Sequence, residues 1–438
     1  MSRGSDDLFT SLSVEARKLI ARALEFARRS RIDVYLVGGA VRDLSLGEKV
    51  LDLDLVWEGA GEPESVAQAF GKALQREVAY HPEFLTASLT GSHDLRVDLS
   101  RARSETYSAP AALPTVRPSG LRQDLTRRDF SINAMAVALA RPRELIDPCG
   151  GAADLRQRRL RTLHERSFRD DPARILRGCE LAVRRGFAFE TGTGTLLEAA
   201  VREGYLALLS GTRVRHELAR LLASSGRAAA GAQKLRVLGI DRALHAQLRI
   251  DAQGIERLVK LAAWSAPGDR PAAPDPTPFW IIALTALLWH RPSSERRVLA
   301  QWLELGRSEK RWLTQGPERL GRLLDPAVAV ESGDVAMAQI YSDLSRAEMR
   351  VVELLSDPGH RQRFHEIRRL SGIELQIGGD DLLAAGTAPG PRIGNALEAT
   401  LAARRRGELE AAGELDFAVA WLRQAELAEP AEPGEIDT

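Results

Sequence analysis

The chain has 438 residues, 44% hydrophobic and 28% charged, with a formal net charge of +1, values expected of a folded protein of about two to four domains. No apolar run reaches the ~18 residues of a membrane span, and the opening MSRGSDDLFTSLSVEARKL lacks the apolar stretch of a signal peptide. Cys149 and Cys179 are too few for a disulfide framework or a cysteine zinc site, so a cytoplasmic location is expected. Near-neutral charge does not by itself announce a nucleic-acid partner.

Apolar spacing predicts a helix from Val14 to Arg29, leading into a strand at DVYLV. Further short β-like segments follow at LDLDLVW, FLTASL and LRVDLS, with another apolar segment around INAMAVAL. The first ~150 residues are therefore expected to form a mixed or antiparallel sheet with a few helices. From about Ala152 the sequence reads as Ala/Leu/Arg-rich amphipathic helix. Five prolines between Pro267 and Pro278 mark a linker or long loop. The end, with five acids and no base after Arg423, is expected to be a disordered tail.

Within LDLDLV, alternation sends Asp52 and Asp54 to one face and Leu51, Leu53 and Leu55 to the other. Carboxylates spaced roughly 6–7 Å along a strand can converge on divalent ions, and an all-oxygen donor set favours Mg²⁺. An edge strand with two solvated aspartates fits the same pattern. Upstream, VGGAVRD follows one strand and precedes a predicted helix; Gly38 and Gly39 let backbone amides approach a phosphate, and Arg42 lies one turn further on. A tight turn would explain the glycines alone, but not their company. In DLRVDLS, Asp94, Arg96 and Asp98 share a face, and Asp98 is the better third carboxylate.

SFRDDPARILRGCELAVRRGF carries acids before Pro172, a helix-start pattern, with Asp171 and Arg174 three apart. An i,i+3 salt bridge at a helix start is the bland reading. The same pair also matches the edges of two bases: a carboxylate accepts from the amino group of cytosine or adenine, and an arginine donates to the ring nitrogen. Uracil and guanine present the opposite pattern, so an Asp–Arg pair could select C and A without a nucleic-acid template.

In order, LVGGAVRD with DLDLV, RARSETYSAPAALP, DLTRRDFSINAMA, LIDPCGGAADLRQRRLRTL, SFRDDPARILR and LSGTRVRHELARLL resemble the class II tRNA nucleotidyltransferases, which comprise CCA-adding enzymes, CC- and A-adding subtypes and bacterial poly(A) polymerases. GGDDLLAAGTAPGPRIG resembles a segment of their tRNA-holding tail. The resemblance implies an α+β fold: a polymerase-β-like nucleotidyltransferase head over residues 1–150, a helical neck with the base-selecting motif over 151–265, a Pro-rich linker at 266–279, a helical tRNA-binding body over 280–424 and an acidic tail at 425–438. It implies that Asp52 and Asp54 bind Mg²⁺ and catalyse, with Asp98 beside them. Gly38, Gly39, Arg42, Arg128, Asp129 and Asn133 would serve the nucleotide and its triphosphate, and Arg127 suits phosphate. Asp171 and Arg174 would select the base, Arg177 would add a nucleotide contact, and Arg213 with Glu217 would play a supporting part.

Two departures stand out. Glu180 and Leu181 follow Gly178 where the family has a basic residue and an aromatic, and Ala111 replaces a glycine. The implied activity is Mg²⁺-dependent transfer of C and/or A from CTP or ATP to the tRNA 3′ end, with pyrophosphate released. The rivals are an A-adding or CC-adding specialist, a poly(A) polymerase and, from another class, a non-catalytic RNA-binding protein. No membrane partner is expected.

Overall fold

The computed structural model describes residues 8–91, 95–265 and 277–428. It divides into two compact units: Met1–Ile255 with Ser294–Leu305, and Glu256–Ser293 with Gly306–Thr438. Asp94, most of the Pro-rich segment and residues 429–438 of the acidic tail lie outside the described residues.

The first unit opens with helix α1 (Val14–Ser30). Ser13 caps it by accepting the Ala16 amide at 3.2 Å, and Leu19, Ile20 and Ala27 are buried as the spacing predicts. A seven-stranded sheet follows, built from β1 (Asp33–Val37), β2 (Asp52–Glu58), β3 (Glu77–His81), β4 (Thr86–Thr90), β5 (Arg96–Arg101), β8 (Ala136–Ala138) and β9 (Leu145–Ile146), in the order β3-β4-β5-β2-β1-β8-β9. A separate hairpin joins β6 (Arg103–Thr106) to β7 (Thr115–Pro118). The sheet is mixed because β2 and β5 pair in parallel while its other pairings are antiparallel.

Strand β2 lies in the interior of the sheet, with Leu53, Leu55, Val56 and Trp57 all buried, so both of its faces are covered along that stretch. The alternation expected for its leucines holds from Leu53 onward. Leu51 precedes the strand and is 63% exposed rather than packed with Leu53 and Leu55. Helix α2 (Gly39–Ser45) follows β1, and α3 (Pro63–Leu74) lies between β2 and β3; Phe26 of α1 meets Phe70 of α3 edge to face, with ring centroids 5.3 Å apart.

Helices α4 (Leu121–Thr126), α5 (Gly151–Arg156), α6 (Ser167–Asp170), α7 (Ala173–Arg185), α8 (Thr191–Arg202) and α9 (Gly211–Leu222) complete the elements around the site. The stretch read as purely helical also holds a small parallel pair, Arg159–Leu160 with Ala188–Phe189. Gly178 sits where that pair meets α7: a Cβ there would lie 2.6 Å from Phe189 and 2.8 Å from Phe130. Close packing against two rings accounts for the glycine.

The second unit is helical among its described residues. Its GGDDLLAAG segment places Leu382 in a core with Ala396, Ala418 and Leu422. The basic ARRRG cluster closes helix Pro391–Arg406 at Gly407, which adopts the left-handed conformation (φ 73°). It is not one solvated face. Arg405 is buried, donating to the Leu370 carbonyl and Gln339, while Arg404 pairs with Glu414 at 2.8 Å.

Candidate active site

A cavity of about 720 Å³ opens in the first unit between the sheet and helices α7 and α9. Its lining includes the residues expected to meet metal, nucleotide and base: Gly38, Gly39, Arg42, Asp52, Asp54, Asp98, Arg128, Asp129, Asn133, Asp171, Arg174 and Arg177. The chemistry divides between two walls.

The first wall is carboxylate. Parallel register sets Asp54 beside Asp98 and Asp52 beside Arg96. Asp98 Oδ1 accepts the Ser88 hydroxyl at 2.7 Å. Burial pushes the Asp54 carboxyl above its ordinary range, against the pull of Arg128, and the neighbouring charges of Asp98 and Asp52 push the same way. Among the described residues no three His, Cys, Asp or Glu side chains form a cluster that could hold a metal ion. Instead the wall offers neighbouring oxygen donors with like charge, which suits a hard cation that completes its shell with water or ligand oxygens.

Gly38 lies against this wall with φ 68°, a conformation that strains any side chain. A Cβ there would meet Arg128 Nη1 at 2.8 Å and Asp54 Oδ2 at 3.6 Å, so glycine lets a cation and an anion close over the backbone. The Gly38 amide donates to the Met135 carbonyl at 3.2 Å, so in this structure that donor is engaged within the protein. Arg42 is also committed. Its guanidinium is buried, donating to Asp43 at 2.8 Å and to Asn133 Oδ1 at 2.6 Å. Arg128 is the arginine that stands over Gly38 beside Asp54.

The second wall is an ion-pair web. Asn133 passes from Arg42 to Asp129, donating to its Oδ1 at 3.0 Å. Arg177 reaches Asp171 at 2.5 Å, Asp129 at 3.5 Å and Glu217 at 3.5 Å. Burial opposes its charge, but these three carboxylates outweigh it and hold the guanidinium above its usual range. Asp129 shows the converse: burial alone would raise it, yet Arg177 and the Asn133 amide keep it below the ordinary carboxylate range. Glu217 is the least compensated, raised by burial despite Arg177, with Oε2 buried and unpartnered.

Asp171 does not lie on the helix with Arg174. It occupies the joint between α6 and α7, one residue ahead of Pro172, and its Oδ1 accepts the Ala173 amide at 3.1 Å and Arg213 Nη2 at 2.5 Å. A proline at the second residue disfavours helical geometry just before it, which is why the pair is split by a turn. Arg174 is 3% exposed, with Nε 3.7 Å from Asp171 Oδ2. The supporting part expected of Arg213 has a concrete form, since the same side chain donates to the Ala111 carbonyl at 3.2 Å.

The residue-by-residue reading missed the hairpin side of the cavity. Arg103, Glu105 and Tyr107 line it; Glu105 accepts from Arg103, Arg127 and the Tyr107 hydroxyl, and burial followed by Glu105 pushes that phenol up to about 12. The i,i+2 spacing in RSETY was the available signal. Glu180 and Leu181 also line the cavity, and Glu180 pairs with Arg184 at 2.6 Å. A carboxylate thus occupies that part of the wall, neutralised from within its own helix.

A mixed-sheet head carrying neighbouring carboxylates beside a glycine turn defines the class, and the poly(A) polymerase head domain matches residues 34–161. An A-adding tRNA nucleotidyltransferase of Halalkalibacterium halodurans is 39% identical over 238 residues, which cover 53% of this chain and 55% of the relative. One from Geobacter sulfurreducens is 32% identical over 391 residues, covering 86% of this chain and 44% of the relative. The chain spans about half the length of these two curated relatives. Among solved structures, a CCA-adding enzyme complexed with ATP superposes with a TM-score of 0.76 at 26% identity, covering 96% of this chain and all of the other. The Thermotoga maritima CCA-adding enzyme complexed with tRNA gives 0.72 at 26% identity, covering 95% and 97%. The chain is similar to the class II CCA-adding tRNA nucleotidyltransferases, in its head by the domain match and along most of its length by these relatives and structures. No described helix is long and apolar enough to cross a membrane.

Proposed function

We propose that this protein is a template-independent nucleotidyltransferase that adds C and/or A from CTP or ATP to the 3′ end of tRNA and releases pyrophosphate. The observation that carries the reading is a single cavity with a carboxylate wall, Asp52–Asp54–Asp98, and a base-reading wall, Asp171–Arg174. Relatives named for A addition and for CC addition support the substrate class, as do CCA-adding neighbours solved with tRNA, ATP and CTP. With such substrates the location is cytoplasmic.

Asp52 and Asp54 would hold Mg²⁺, with water and phosphate oxygens completing its shell, as this ion prefers. When bound, Mg²⁺ supplies charge neutralisation at the reacting phosphate and lowers the pKa of a bound hydroxyl. The chain's own residues orient the reactants. Arg128 faces the phosphates across Gly38, Asn133 and Asp129 lie within reach of the sugar, and Asp171 with Arg174 meets the amino group and ring nitrogen of C or A. The 3′ hydroxyl then attacks the α-phosphate in line and pyrophosphate leaves.

The test uses three tRNA transcripts, ending at the discriminator base, at C and at CC, each incubated with the protein, Mg²⁺, and CTP or ATP singly and together. Growth of all three to CCA is the expected result. Extension of the CC-ended transcript alone, by one A, would mean an A-adding specialist, and open-ended A tails a poly(A) polymerase. No extension would leave an RNA-binding protein without catalysis.

A further inference from the structure

Three of the Arg174 hydrogen bonds are already made inside the protein. Nη1 donates to Ser167 Oγ at 2.8 Å and to the Arg128 carbonyl at 3.2 Å, and Nη2 donates to the Arg127 carbonyl at 2.7 Å. Nε is buried on a cavity-lining residue and has no hydrogen-bond partner among the described residues. A buried donor without an acceptor is costly, and a ligand atom admitted beside it would relieve that cost. Asp171 complements it. Oδ1 is taken by Ala173 and Arg213, whereas Oδ2 accepts from Arg177 alone among the described hydrogen-bond donors and keeps a lone pair open there. Arg174 Nε and Asp171 Oδ2 stand 3.7 Å apart, too far to satisfy each other and close enough to serve adjacent atoms of one base edge.

Ser167 touches both partners. Its hydroxyl accepts from Arg174, and its carbonyl accepts the Asp171 amide at 3.1 Å. It is fully buried, and of the three groups that hold the Arg174 fork only its hydroxyl belongs to a side chain.

We propose that Ser167 is the specificity-positioning residue of the base-selecting pair: by anchoring Nη1 of Arg174 it turns Nε, rather than the terminal fork, toward the ring nitrogen of cytosine or adenine. The inference rests on the nucleotidyltransferase reading above and adds to it which atom reads the base and what aims it. Loss of the hydroxyl leaves the fork held by two backbone carbonyls and loosens the aim of Nε.

The experiment measures kcat/KM for CTP and for UTP on the tRNA transcript accepting C, and for ATP and GTP on the one accepting A, in wild type, Ser167→Ala, Ser167→Thr, Arg174→Ala and the Ser167→Ala/Arg174→Ala double variant, with Tm for each. Ser167→Ala is expected to reduce discrimination against UTP and GTP by about tenfold, the scale of one hydrogen bond to a charged group. Ser167→Thr, which keeps the hydroxyl, should restore it. In the Arg174→Ala background Ser167→Ala should change discrimination no further, because both act through one guanidinium. Unchanged discrimination in folded Ser167→Ala, or an additive loss in the double variant, overturns the proposal while leaving the enzyme reading intact. Should Ser167→Ala not fold, Ser167→Cys, near-isosteric but a weak acceptor, carries the same test. If Arg174→Ala itself leaves selection unaltered, or the wild type adds no nucleotide, the base-reading assignment fails and takes this proposal with it.

Discussion

The two walls of the cavity treat charge in opposite ways. On the sheet side, Asp52, Asp54 and Asp98 stand as neighbours with Arg128 as the leading opposing charge on Asp54, and burial drives the Asp54 carboxyl upward. On the helix side, Asp129, Asp171 and Glu217 are gathered around Arg177, with Arg213 and Asn133 filling remaining positions. One wall is left for a ligand to complete, and the other is mostly complete before any ligand arrives. Function on the first wall therefore conflicts with stability, whereas on the second the two run together.

The sharpest test of that contrast is Asp54→Asn. With Asp54 holding the catalytic cation as proposed above, loss of its carboxylate should lower nucleotide incorporation by about 10³-fold or more. The same change removes a buried like charge, so Tm should stay level or rise. A fall in Tm would show that the carboxylate wall is stabilising and erase the distinction.

The matching change on the other side is Arg177→Met. It strands three carboxylates that have lost their common cation, and breaking a buried pair from one side costs several kcal/mol. Because the Arg177 side chain is 32% exposed, the expected loss sits at the low end, about 3 kcal/mol, read as a lowered denaturant midpoint. A variant that loses activity while keeping its midpoint would mean the web serves the ligand and not the fold.

Proton linkage gives a third, smaller effect at a site bordering both walls. Asp124 is fully buried, and although burial opposes its ionisation, Arg128 and Arg127 together hold its carboxyl below the ordinary range. A carboxyl depressed in the folded state stabilises above its unfolded value, about 3.9, and that contribution is lost as pH falls through the folded value. Denaturant midpoints followed downward from pH 5 should decline, and Asp124→Asn should flatten part of that decline while lowering stability at pH 7. An unchanged slope in the variant would place the acid sensitivity elsewhere.

How much of this was legible beforehand follows from the range of the forces involved. The Asp52/Asp54 face and the helix over Val14–Ser30 depend on local periodicity, which sequence displays directly. The pairing of Asp54 with Asp98 needs a parallel crossover through α3, β3 and β4, which alternation along single strands cannot reveal. Arg42 shows the limit of spacing: an arginine one turn after a Gly-Gly pair lines the cavity, but its ties to Asn133, 91 residues away, and to the adjacent Asp43 are set by the fold. Arg174 lines the cavity, but its tie to Ser167 and to two backbone carbonyls depends on tertiary contacts with no spacing signature.

Ala111 offers the mildest break in the comparison, at the loop tethering the hairpin side to the helix side. It holds φ 58° where the family pattern carries glycine, its amide donates to the Arg169 carbonyl at 3.2 Å, and its carbonyl accepts from Arg213. A left-handed alanine costs roughly 1–2 kcal/mol, while a glycine there would lose roughly 0.4–1 kcal/mol through greater freedom of the unfolded chain. The balance favours Ala111→Gly by about 0.5 kcal/mol, a Tm increase of about 1–2 °C. Because Arg213 donates to a backbone oxygen, its grip on both Ala111 and Asp171 should survive the change, and C/A selection with it. A lower Tm would mean that the strain is already relieved by the two backbone bonds. An unaltered Tm with weakened selection would show instead that alanine stiffens the loop so that Arg213 can hold Asp171 in place.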